Sequence, residues 1–65
     1  MDTDVFEGLR HQLGVSQETL ARMLDVHPVT VNKWERGKRA IPRVVALAMW
    51  ALIYMQRGEE EAKKQ

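Results

Sequence analysis

The chain has 65 residues, 45% of them hydrophobic, with no cysteine, two histidines and a formal net charge of +1. This length forms one domain near the lower size limit for a self-supporting core, and the lack of cysteine excludes disulfides and the usual structural zinc sites. We therefore expect no metal and no other cofactor, and oligomerisation is the remaining means of stabilising so small a core.

The first predicted helix spans residues 4–13. Thr3 or Asp4 can cap its N-terminus, where acidic residues also suit the helix dipole, and Gly14 ends it. Its apolar residues recur on one face: Val5, Leu9 and Leu13. The acidic start of the chain differs from the basic start and apolar run of a secretory signal, so we expect a cytoplasmic protein.

Two short helices are predicted next, around a three-residue interruption. Ser16 is a good N-cap for a helix over residues 17–24, and Pro28 suits the first position of a helix over residues 28–36, because a missing N–H costs nothing there. Helices joined by so tight a turn cross steeply. The apolar residues that we expect between them are Leu20, Leu24, Val26, Val31 and Trp34.

Positive charge is concentrated around the third helix and the loop that follows it. Residues 27–43 carry five basic residues and one glutamate, whereas residues 1–26 have a net charge of −3 and the remainder sums to zero. The basic residues are Lys33, Arg36, Lys38, Arg39 and Arg43. A local excess of positive charge suits a polyanion, and the helix pair has the layout of a DNA-reading helix-turn-helix.

A fourth helix is predicted over residues 43–57, within which nearly every residue from 44 to 55 is apolar. This run of about 12 apolar residues falls short of the roughly 20 that cross a bilayer. We expect one face to join the core: Leu47, Ala48 and Ala51, with Val44 and Tyr54 at its margin. A second copy would cover the other face in a homodimer. The predicted dimer contacts are Val45, Met49, Trp50 and Ile53.

The alternative for this helix is that it bends back and becomes core throughout. We assign residues 1–57 to one DNA-binding domain, which includes the dimerisation helix. Residues 58–65 form a charged tail, helical or frayed, whose expected role is solubility.

A set of residues in register strongly resembles the Cro/CI, or XRE-type, helix-turn-helix family of phage and bacterial repressors: Gln17, Leu20, Ala21, Val26, Val31, Glu35, Arg36, Gly37, Lys38 and Pro42. The resemblance covers roughly residues 9–52. It implies a compact all-α bundle of four to five helices, like the DNA-binding domain of lambda repressor, which binds DNA as a dimer with its third helix in the major groove. This chain lacks an obvious break between helices four and five, which could therefore be fused.

The resemblance also implies base-reading positions: His27, Pro28, Val29, Asn32 and Lys33. Lys33 can reach O6 or N7 of guanine, and it lies one helical turn beyond Val29 on the same face. Val29 and Pro28 offer apolar surface, which suits a thymine methyl group. His27 could either donate to a base or cap the third helix, and the sequence does not decide between them.

We predict phosphate contacts for a second set, in which the resemblance implies Gln17 and the others lie on or just after the third helix: Gln17, Thr30, Arg36, Lys38, Arg39 and Arg43. Gln17 would lie at a helix N-terminus, where anions bind well. Thr30 and Asn32 could reach phosphates, bases or water. The alternatives are a solvated Gln17 and an ordinary solvated basic loop. Arg10 and Glu35 match a family pair that forms a salt bridge between helices one and three, and such a pair orients helix three more than it stabilises the fold.

These features predict a sequence-specific repressor that binds double-stranded DNA at an inverted-repeat operator as a homodimer and controls its own operon by occluding polymerase. Reading helices about 34 Å apart predict half-sites about 10 base pairs apart. The alternative is an antitoxin-like or accessory protein-interaction module with secondary DNA binding. We do not expect an enzyme or a small-molecule ligand, since the sequence offers no carboxylate pair, metal-ligand cluster or Gly-rich phosphate loop.

Overall fold

Four α-helices form the fold of the computed structural model, which describes the backbone of residues 1–63 and the side chains of residues 1–59. They are α1 (Thr3–Leu13), α2 (Gln17–Leu24), α3 (Pro28–Glu35) and α4 (Arg43–Lys63), and no strand occurs in this part of the chain. The predicted all-α fold is confirmed. Lys64 and Gln65, at the end of the predicted charged tail, lie outside the described residues.

A side chain caps the N-terminus of each of the first three helices. Asp2 accepts a hydrogen bond from the Asp4 N–H at 2.7 Å, so the predicted cap at Thr3 or Asp4 is wrong and α1 begins one residue early. The Ser16 hydroxyl accepts from the Thr19 N–H at 3.1 Å, as predicted. Each cap satisfies one N–H that has no partner within the helix.

Three left-handed residues end these helices and make the connections short. Gly14, Asp25 and Gly37 have φ of 73°, 56° and 72°. The N–H after each one bonds back to a carbonyl five residues earlier, for example Lys38 to Lys33 at 2.9 Å, which is the Schellman arrangement. Because of this turn α3 ends at Glu35, one residue before the predicted end. The tight turn at Asp25 fixes how α3 leaves α2.

The core draws on all four helices. Its buried residues are Phe6, Leu9, Leu20, Ala21, Val31, Trp34, Met49 and Ile53. The expectation for the α2–α3 pair is confirmed, because Leu24 and Val26 also pack against this cluster. Val5, predicted on the inner face of α1, is instead 43% exposed, and Phe6 is buried in its place. The Phe6 ring packs edge-on against Trp34, with 5.8 Å between the two ring centroids. This aromatic pair packs α1 against α3.

The two faces of α4 are the reverse of the expectation. Met49 and Ile53 are 0% and 3% exposed within the protomer's own core, and Val45 packs against the same cluster. Four residues expected at the core are exposed instead: Val44, Leu47, Ala51 and Tyr54. The prediction of Met49 and Ile53 as dimer contacts is therefore wrong. Val45 is partly exposed and Trp50 is 53% exposed, so the calls for these two residues stay predictions. Residues 44–55 are apolar on every side of the helix, so the sequence periodicity does not show which side faces the core.

α4 also continues beyond the predicted end at residue 57, through Gly58 to Lys63. Glycine costs about 1 kcal/mol in a helix interior, and the strong helix formers after it, glutamate, alanine and lysine, favour continuation. The chain therefore has one long helix, in which the fourth and fifth helices expected from the family are fused. No described helix is long and apolar enough to span a membrane.

A polar network joins the first three helices. The Arg10 guanidinium donates to both carboxylate oxygens of Glu35 at 3.0–3.2 Å and to the carbonyl of Val15 at 3.0 Å. The side chains of Arg10 and Glu35 are only 12% and 5% exposed. Gln17 donates to Glu35 at 3.2 Å and accepts from Asn32 at 3.4 Å. The expected Arg10–Glu35 salt bridge is present, and it ties α3 to α1 and α2.

Removing the Glu35 carboxylate should destabilise the fold strongly. Glu35→Ala leaves the Arg10 guanidinium buried without its partner, and we expect the free energy of unfolding, measured by urea denaturation, to fall by about 3 kcal/mol. Glu7→Ala is the control, since it removes only an exposed 3.5 Å contact with His11 and should cost at most about 0.5 kcal/mol. Equal costs for the two substitutions would contradict the role of the network.

Two glycines at α1 should respond in opposite ways to alanine. A Cβ on Gly8 would meet nothing within 4 Å, so Gly8→Ala should raise the free energy of unfolding by about 0.5–1 kcal/mol. A Cβ on Gly14 would also meet nothing within 4 Å, but the φ of 73° at this position is unfavourable for alanine. Gly14→Ala should therefore lower the free energy of unfolding by about 1 kcal/mol. Urea denaturation of both variants measures the difference, and stabilisation by Gly14→Ala would show that the helix ends differently.

Candidate nucleic-acid interface

The outward face of α3 carries the predicted base-reading side chains. Val31 and Trp34 are buried, and on a helix with 3.6 residues per turn the opposite face carries Val29, Lys33 and Arg36. Val29 is 51% exposed, and Lys33 is partly exposed beside it. The structure therefore brings the lysine and the valine onto one accessible face, one turn apart. Their contact with bases stays a prediction.

His27 and Pro28 form the start of this helix. Nδ1 of His27 accepts a hydrogen bond from the Val29 N–H at 3.1 Å, so the capping role that the sequence left open is present. With Nδ1 as an acceptor, the neutral imidazole carries its proton on Nε2, which can donate to another group. His27 is exposed, so capping does not prevent a base contact. Pro28 occupies the first helical position as predicted and is partly exposed.

Gln17 and Asn32 are held in place by the polar network. Because a carboxylate only accepts, the contact with Glu35 fixes the Gln17 amide with its nitrogen toward Glu35 and its oxygen toward Asn32. Both side chains are partly exposed and keep further polar atoms for a ligand. Sequence reasoning proposed each as a DNA contact but missed their link to each other. The two residues are 15 positions apart on different helices, so only the folded arrangement of α2 and α3 reveals the contact.

Basic side chains extend from the end of α3 to the start of α4. Arg36, Lys38, Arg39 and Arg43 are exposed, and Thr30 is partly exposed on the flank of α3. The ion pairs found among the described side chains join Arg10 to Glu35 and His11 to Glu7, so none involves these four cations or Lys33. Five positive charges without a carboxylate partner in this part of the chain can neutralise phosphates.

The short turn at Gly37 connects the end of α3 to this basic segment. Its φ of 72° suits glycine, and a Cβ there would lie 3.8 Å from Cγ2 of Thr3. The turn therefore also packs next to the N-terminus of α1. The C-terminal end of α3, the loop and the first residue of α4 thus form one exposed basic segment of the chain, which we call the basic edge.

The match to a known family agrees with this arrangement. A family model described as helix-turn-helix, of the XRE type, matches residues 8–49, which include most of α1, all of α2 and α3, the basic loop and the start of α4. Comparison with curated proteins and comparison with solved structures give no significant match. The matched region covers more than half of the chain and contains the whole reading face. The chain therefore belongs to the XRE-type helix-turn-helix family of DNA-binding regulators.

Proposed function

We propose that this protein is a sequence-specific transcriptional repressor that inserts α3 into the major groove of double-stranded DNA. The observation that carries the proposal is that two exposed features follow each other along the chain. Val29 and Lys33 are accessible on α3, and cations without an ion-pair partner among the described side chains follow them directly along the chain. An exposed helix face that can contact bases is thus followed along the chain by cations that can bind phosphates.

Specificity would come mainly from Lys33, with Val29 beside it. A lysine can donate to O6 and N7 of guanine in the major groove, and a valine can contact the methyl group of thymine. His27 offers an Nε2 donor, Pro28 adds apolar surface, and Asn32 is a further candidate on the side facing α2. Asn32 is tied to Gln17, so it should move less freely than Lys33.

Affinity would come from the basic edge and from the N-terminus of α2. The cations at Arg36, Lys38, Arg39 and Arg43 would lie along the sugar-phosphate backbone, with Gln17 and Thr30 contacting phosphates nearer the reading helix. Gln17 is the first residue of α2, where helix N–H groups also favour an anion. These contacts would set the orientation of α3 without reading sequence.

Repression would act by occlusion. The protein would bind an inverted-repeat operator as a homodimer in the cytoplasm, block polymerase and thereby control its own operon. Two-fold symmetry would place the half-sites about 10 base pairs apart, one turn of the double helix. The test is fluorescence anisotropy with the duplex upstream of its own gene and a shuffled duplex of equal composition. We expect at least about 10³-fold preference at physiological salt, and equal affinity would contradict autoregulation.

The exposed apolar face of α4 favours one second candidate function, an antitoxin-like or accessory module that binds a different protein and uses DNA only secondarily. Val44 and Tyr54 are 76% and 80% exposed. DNA binding by α3 does not use this apolar surface, whereas binding of another protein would. A stable complex with a heterologous protein, formed by a chain that remains monomeric alone, would support this candidate.

The substitution Lys33→Ala should alter specificity more than general affinity. We expect a loss of about 1–3 kcal/mol on the preferred sequence and a much smaller loss when the contacted base pair is changed. Anisotropy titrations against single-base variants of the operator measure both values. A uniform loss over all sequences would show that Lys33 contacts phosphate and does not read a base.

Lys38→Ala is the matched comparison, because it removes the same charge from the loop. We expect it to weaken binding to every sequence alike and to reduce the slope of log K against log salt concentration by about 0.9. Titrations at several salt concentrations give this slope. An unchanged slope would place Lys38 away from the backbone.

A further inference from the structure

A regular seam runs along the exposed side of α4. Its residues are Val44, Leu47, Ala51, Tyr54 and Gly58, and all five are exposed. Their spacings alternate between three and four, which is the pattern of the contact line of a helix pair that packs knobs into holes. The opposite side of the helix carries Met49 and Ile53 in the core. α4 thus has one line of contacts inside the protomer and a second one that the described residues leave uncovered.

Side-chain size along this seam fits a second copy in the antiparallel orientation. A two-fold axis level with residues 52–53 places Leu47 opposite Gly58 of the partner subunit and Tyr54 opposite Ala51 of the partner subunit. A large side chain then faces a small one in both of these layers. A parallel pair would instead place Tyr54 against the partner's Tyr54. The antiparallel pair also puts the positive end of each helix dipole beside the negative end of the other.

Gly58 supports the same arrangement independently. It lies inside α4, where a Cβ would meet nothing within 4 Å of the protomer. Nothing in the described part of the protomer therefore requires glycine there, although glycine weakens a helix interior. A close approach by a second helix explains the residue, because the missing side chain leaves a hole for Leu47 of the partner subunit.

The neighbouring residues enlarge the surface. Trp50 and Met55 flank the seam and are 53% and 62% exposed. Beside the seam an apolar groove of about 260 Å³ opens between Gln12, Trp50, Ile53, Tyr54 and Arg57. Five large apolar residues of this side are more than half exposed, and they would supply the apolar part of an interface that buries roughly 800 Å² per partner.

We infer that α4 pairs with α4 of a second copy of this chain, antiparallel, through Leu47, Ala51, Tyr54 and Gly58, with Val44 at the end of the seam. The surface is self-complementary, as two-fold symmetry requires, because each protomer supplies both the large and the small residues. The inference rests on the proposed function for its role, since a two-fold dimer is what an inverted-repeat operator needs. The interface itself is tested without DNA.

The first test is sedimentation equilibrium of the full chain at micromolar concentration without DNA. We expect a dimer, twice the 7.5 kDa of the chain, and we expect Tyr54→Glu to be monomeric with unchanged helical content by circular dichroism. Val5→Glu is the matched control, since Val5 is an exposed apolar residue of α1 and this variant should stay dimeric. A monomeric wild type, or a dimeric Tyr54→Glu, would overturn the inference.

The second test determines orientation and uses the absence of cysteine from the chain. An oxidised mixture of Leu47→Cys and Gly58→Cys should form covalent heterodimers, because a disulfide needs Cα atoms within about 7 Å. Each variant alone should remain uncrosslinked. Efficient crosslinking of Leu47→Cys alone would place residue 47 beside its own copy and overturn the proposed antiparallel register. Neither test depends on operator binding. The proposed interface can therefore be contradicted while the proposed DNA recognition stands, and the proposed DNA recognition can be contradicted while the interface stands.

Discussion

The ion pair between Arg10 and Glu35 is the interaction on which the rest of the structure depends. The guanidinium reaches from α1 to the last residue of α3 and also binds the carbonyl of Val15, which lies just before α2. Three helices of 8 to 11 residues are too short to be stable alone, so their relative placement must come from such contacts. Because Gln17 and Asn32 join the same network, the orientation of the reading helix and the start of α2 are set together.

The small positive net charge of the chain is distributed unevenly over these fixed helices. The net charge is only +1, yet the cations from Lys33 to Arg43 have no carboxylate partner among the described side chains, while the acidic residues of α1 and α2 lie elsewhere in sequence. A polyanion would therefore be attracted to the basic edge and not equally to the whole surface. In the proposed function, discrimination between sequences would come from the few side chains that α3 exposes, because phosphate contacts carry no sequence information.

The sequence predicted α1 to α3 well because polar residues, glycine and proline mark their ends. Ser16, Gly14 and Pro28 each have one strong structural preference, and the structure uses all three. α4 lacks such marks, so its inner and outer faces were assigned the wrong way round. Gly58 looked like an end but lies inside the helix. The Gln17–Asn32 contact could not be predicted either, since it depends on the crossing of α2 and α3. The family motif predicts that α3 reads DNA, and the roles of its individual residues stay predictions.

The measurement that tests the central claim most directly is selection of bound duplexes from a random pool at physiological salt, where purely electrostatic binding is weak. The account predicts enrichment of one inverted repeat whose half-sites are about 10 base pairs apart, centre to centre. Recovery of sequences without any shared motif would contradict it, because α3 would then not read bases.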